Sequence, residues 1–157
     1  MASLDWLVGR WTGTVKAFAT PSSPEKTLVA GEETFQYFPD SNMLWHRNAK
    51  EGPFTLVPEI GFDPFSRVWV IYVGAAPRMW GVLTADGWDG NRLAFIGDVT
   101  IFGVKARLRR TMVKTSETEL EILNDEQFEP GTPWVPVDAY HLTKVPMTSA
   151  GSVTPNP

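Results

Sequence analysis

The sequence predicts an all-β domain: roughly ten antiparallel strands that run up and down and close into a barrel around an internal pocket. Three observations carry this. Stretches of alternating hydrophobicity follow one another from residue 10 to residue 145, the period of a half-buried strand. The breaks between them have turn chemistry, with Pro, Gly, Asn, Asp and Ser where the chain must reverse. No segment of helical period is long enough for the crossover that a parallel sheet requires. The 157 residues suit one domain, assigned to 1–146, with 147–157 a small, polar, proline-containing tail.

The elements follow in order. Ser3 to Val8 reads as one or two helical turns, with Ser3 as N-cap and Leu4, Leu7 and Val8 on a shared face. So short a helix is unstable alone and must cap something larger. The first strand, 10–18, sets Trp11, Gly13, Val15 and Ala17 against Arg10, Thr12, Thr14 and Lys16. Strands are then expected at 27–38, 43–49, 54–62, 68–73, 79–85, 93–101, 105–114, 119–128 and 135–145. Short connections make neighbours antiparallel. A meander of this length removes its exposed edges best by closing on itself; a β-sandwich is the alternative. Seven Trp and nine Phe are bulky for a thin sandwich and suit a wide barrel.

Two strands break the alternation. Val68 to Val73 is apolar on both faces, and Met79 to Leu83 nearly so. A wall facing water should alternate, so the outer face here is expected to be covered. A homodimer contact is the preferred cover, with the capping helix or the C-terminal tail as alternatives.

Composition excludes several classes. There is no cysteine, hence no disulfide framework, thiolate zinc site or cysteine nucleophile. The net charge of −4, with signs interspersed, offers no basic stripe for nucleic acid. No apolar run approaches the ~20 residues that span a bilayer. No leader pattern is visible, so a cytoplasmic location is expected. Phosphate-loop, zinc-protease and nucleophile-elbow motifs are lacking. No metal site is expected.

Strand parity nominates the site. Glu33 shares a face with Val29, Phe35 and Tyr37; Arg47 with Met43 and Trp45; Arg110 with Ala106, Leu108 and Met112; Glu126 with Asn124 and Ile122; His141 with Val135, Val137 and Ala139. Arg107 and Arg109 go the other way from Arg110. Lone polar groups among apolar neighbours must be paired, hydrated or matched to a ligand, and a pocket has this composition. Glu33 and Arg47 could equally form an internal ion pair. The expected ligand-binding residues are Arg110, Arg47, Trp45, Phe35, Tyr37, Trp80 and Met112. Either arginine could hold an anionic head.

The opening Leu4-Asp5-Trp6-Leu7-Val8-Gly9-Arg10-Trp11-Thr12-Gly13 resembles the first-strand signature of the calycin superfamily. There a short helix leads into Gly-x-Trp-x-Gly, and the Trp plugs the closed end of a barrel. Gly61-Phe62-Asp63-Pro64, Trp88-Asp89-Gly90-Asn91-Arg92-Leu93 and Arg110-Thr111 are similar to a bacterial lipocalin-like family related to nitrobindin and the fatty-acid-binding proteins. The resemblance covers 4–145 and implies a ten-stranded barrel with a ligand cavity. Nitrobindins hold haem through a His near the C-terminus, and His141 sits in a comparable place. This chain departs from them after the first-strand Trp, with Gly13-Thr14-Val15-Lys16 in place of their Gly-Glu-Gly stretch.

Three functions are therefore carried forward. The barrel binds a small, mostly apolar molecule. Alternatively it is a cofactor-free cyclase or isomerase, with His141, Glu33, Tyr72 and Glu126 as acid–base groups. A haem protein with His141 as axial ligand is the third.

Overall fold

A computed structural model describes residues 4–18, 26–38, 43–48, 59–75, 79–101 and 103–146, with 26–38 and 43–48 described by their backbone pairing. Among these residues the structure is all-β and antiparallel, with no helix beyond a single 3-10 turn at Asp5–Leu7. The strands are β1 (Gly9–Ala17), β2 (Lys26–Phe38), β3 (Met43–Asn48), β4 (Glu59–Asp63), β5 (Val68–Ala75), β6 (Met79–Ala85), β7 (Trp88–Asp89), β8 (Arg92–Ile101), β9 (Val104–Lys114), β10 (Glu119–Gln127) and β11 (Val135–Lys144). The expected segments recur within a residue or two, and β7 is an unforeseen two-residue addition. The first part of the expected fourth strand, 54–58, and the tail at 147–157 lie outside the described residues.

The ladders run β6-β5-β4-β3-β2-β1-β11-β10-β9-β8-β7, and β6 also pairs with β8. Two connections are explained directly by their residues. After β4, the Asp63 carboxylate accepts the Phe65 backbone N–H at 2.9 Å, an Asx turn. β7 and β8 are joined by the two residues Gly90-Asn91, with Gly90 at φ +59°. That is the first central position, where a tight hairpin with positive φ takes glycine.

Alternation does the rest. In β8, Leu93, Phe95 and Val99 are buried; in β10, Leu120 and Ile122. On β9, Ala106, Leu108 and Met112 face in, as parity predicts. Arg107 and Arg109 go outward: Arg107 lies 3.8 Å from Asp98, and Arg109 binds Asp125 at 2.8 Å and stacks over Trp134.

One part of the core lies where β1 begins and β11 ends. Trp11 is fully buried and its indole N–H donates to the Leu7 carbonyl at 2.8 Å. Trp6 meets Trp11 edge-on at 5.9 Å. Lys144 donates to the Trp6 carbonyl at 2.6 Å and lies over the Trp11 ring. The expected capping helix is thus a 3-10 turn. Its N-cap is Leu4, with no side-chain cap, while Ser3 lies outside the described residues. Leu4 and Leu7 are buried in the core, so this turn does not cover the outside of β5 and β6. There Tyr72, Trp80 and Val82 stay exposed at 50%, 60% and 47%. The face that the sequence assigns to a second copy is therefore open to water in the single chain.

Candidate functional site

The interior side of β9, β10 and β11 carries a row of polar groups at one level. Arg110 on β9 is opposite Asn124 on β10. Asn124 is opposite Asp138 on β11. Residues directly opposite in an antiparallel ladder share a face, so the three side chains meet. Glu126 lies two residues beyond Asn124, on the same face. These groups line a cavity of about 70 Å³, walled by Ile71, Val73, Met79, Leu108, Val137 and Tyr140. A hollow of about 420 Å³ beside Trp80, Asp98, Arg107 and Phe128 is larger, but it opens on the outer surface.

The Asn124 amide N–H donates to an Asp138 carboxylate oxygen at 2.5 Å. Among the described residues, three buried side-chain polar atoms have no hydrogen-bond partner; two of them, the Nε of Arg110 and the Oδ1 of Asn124, belong to residues that line this cavity. Such atoms are rare in native interiors, because each forfeits water without replacement.

Both carboxyls hold protons more tightly than usual. Burial pushes the Asp138 pKa up; the Asn124 hydrogen bond and the Arg110 charge pull it down, and Asp125 adds to the rise. Burial also raises Glu126, with the Asp138 charge as a second cause. A carboxyl whose folded pKa is raised favours folding below the ordinary carboxylate range. It loses that contribution as pH rises through the folded pKa. At pH 7 an ionised Glu126 therefore opposes folding. Glu126→Gln is expected to raise Tm at pH 7 by on the order of a few degrees. The gain should shrink to nothing as pH falls below the ordinary glutamate range. Thermal melts between about pH 3 and pH 8 measure this; a gain that does not vary with pH contradicts the assignment.

Of the residues nominated by parity, Arg110 and Glu126 both line the cavity. Met112, two residues along β9 from Arg110, is fully buried in the core. Three nominations are corrected. Trp80 and Tyr72 point outward from β6 and β5. The His141 side chain is 57% exposed on β11 and lies 3.7 Å from Glu121. It is therefore no interior acid or base, and it does not fit an axial haem ligand.

Glu33, Phe35, Tyr37, Trp45 and Arg47 belong to β2 and β3, and their side chains lie outside the described residues. The register opposes Glu33 to Asn48 and Arg47 to Thr34. Glu33 and Arg47 are thus one residue out of step in the ladder.

Asp138 and Tyr140 were missed, and the reason is local. The β10–β11 register shifts between Asn124 and Asp125: Asn124 faces Asp138, Asp125 faces Pro136, and Glu126 faces Val135. One residue, Val137, is bulged out of the count. Beyond it the inward set becomes Asp138, Tyr140 and Leu142. Parity carried from Val135 and Val137 onto His141 therefore fails. Pro136 was the available signal, since it has no N–H for the ladder and marks bulges within sheets.

In comparisons with known proteins, no family model matches the chain and no curated protein sequence matches it. No helix among the described residues is long and apolar enough to cross a membrane.

Proposed function

We propose that the chain is a calycin-like barrel that binds a small, mostly apolar molecule in the cavity between Arg110, Asn124, Glu126 and Asp138. The observation that carries the binding reading is the pair of buried, unpartnered polar atoms set in an apolar wall. The barrel reading is supported by the ladders. Followed from β6 through β5 to β1, then β11 to β8, they lead back to β6. It is supported too by Trp11, buried beneath the 3-10 turn as the first-strand resemblance implies.

Scanning fluorimetry with a panel of small apolar molecules tests binding. A true ligand raises Tm with concentration by mass action. Val137→Phe, which adds volume to the cavity wall, should abolish that rise while the protein still melts cooperatively. A panel without any shift, or a shift that survives Val137→Phe, argues against the cavity as the site.

A cofactor-free isomerase or cyclase is the second reading. It is favoured by two neighbouring carboxyls, Glu126 and Asp138, that burial makes hold their protons more tightly than usual, the kind of perturbation that acid–base groups in a cleft show. The two readings part on whether the bound molecule is recovered unchanged.

A further inference from the structure

The unsatisfied atoms differ in kind. Arg110 Nε is a donor, and Asn124 Oδ1 is an acceptor. They belong to residues directly opposite each other on neighbouring strands. The Asn124 amide is oriented by its other end, because Nδ2 is engaged by Asp138. Its oxygen is therefore what it offers a ligand. Asn124 is 7% exposed, so that oxygen has little access to bulk water.

An anionic head would satisfy only half of this arrangement. Its oxygens could accept from Arg110, but they would then lie against the Asn124 oxygen and beside the Asp138 and Glu126 carboxyls. Arg110 already faces the Asp138 charge, so a further negative group would make three acids around one guanidinium.

Resting on the binding reading above, we infer that the cavity selects a neutral head presenting an acceptor and an N–H donor side by side, of the carboxamide or lactam class. Its carbonyl accepts from Arg110 Nε, and its N–H donates to Asn124 Oδ1. The apolar remainder packs on Ile71, Leu108 and Val137. This replaces the anionic head expected from the arginine alone. A site built to hydrogen-bond a particular group rejects the analogue that leaves its buried atoms unpaired.

The test uses the full chain and three probes small enough for the cavity and of one shape: acetamide, acetate and isobutene, titrated at pH 7 and followed by ¹H–¹⁵N NMR. Acetamide should bind about tenfold or more tightly than the other two. It should shift the Asn124 side-chain amide and the Arg110 Nε–H signals. Arg110→Met, checked as folded by its backbone spectrum, should cut that preference to about threefold or less. Acetate binding as tightly as acetamide overturns the inference and restores the anionic head. Isobutene binding as tightly overturns it and leaves an apolar pocket without head-group selection. If no probe perturbs any residue of the cavity, the inference and the binding reading fall together.

Discussion

Trp11→Ala is expected to cost about 3–5 kcal/mol of stability. Small domains have only about 5–15 kcal/mol in total, so much of the variant should be unfolded at 37 °C. Three losses coincide. The indole is wholly buried, so its removal leaves a large cavity where β1 begins. Its N–H bond to the Leu7 carbonyl disappears, and with it one of the ties that hold the 3-10 turn. The edge-on contact with Trp6 and the Lys144 ammonium above the ring go too. Trp11→Phe separates the terms, because it keeps an aromatic edge and loses the N–H. It should fall between wild type and Trp11→Ala in urea denaturation. A loss below about 1 kcal/mol for Trp11→Ala, the size of an average substitution, would mean that this end of the sheet does not organise the fold.

Gly97→Ala is the second large effect, and it concerns the seam between β6 and β8. A Cβ on Gly97 would lie 2.0 Å from the Val82 carbonyl oxygen and 2.9 Å from Leu83 Cα. Both are backbone atoms, so no rotamer change relieves the clash. Gly81 faces the seam from the other strand, where a Cβ would come within 2.6 Å of the Asp98 carbonyl oxygen. Two glycines thus allow β6 and β8 to approach closely, the use that strand glycines commonly serve. Inserting a methyl group should cost about 3 kcal/mol, the upper end of ordinary overpacking, and speed hydrogen exchange along β6 and β8. Gly74→Ala is the control. Nothing lies within 4 Å of the Cβ it would add, so it should change stability by no more than about 0.5 kcal/mol. Equal melting curves for the two alanine variants would show that the seam has room to spare.

The strand list was legible because it depends on local properties. Alternation over five to ten residues and the turn residues between them need no knowledge of partners, so the boundaries of β8 and β9 could be read directly. The inward face of β9 was legible for the same reason. Ala106, Leu108, Arg110 and Met112 keep their parity because no bulge interrupts that strand.

On β11 the same reasoning misplaced His141, because a single bulge at Val137 inverts everything beyond it. Trp80 and Tyr72 were nominated for their chemistry, since strands apolar on both faces give parity nothing to sort. Which face looks inward is decided by the ladders to neighbouring strands.

Residue order alone therefore determined the all-β class, the antiparallel sequence of strands, and the inward placement of Arg110 and Glu126. Tertiary structure alone decided that Asn124 and Asp138 stand level with Arg110 and that His141 looks outward. The division has a physical cause. Alternation is a property of one strand, but register is a relation between two, and a single extra residue changes it without altering the hydrophobic pattern of either.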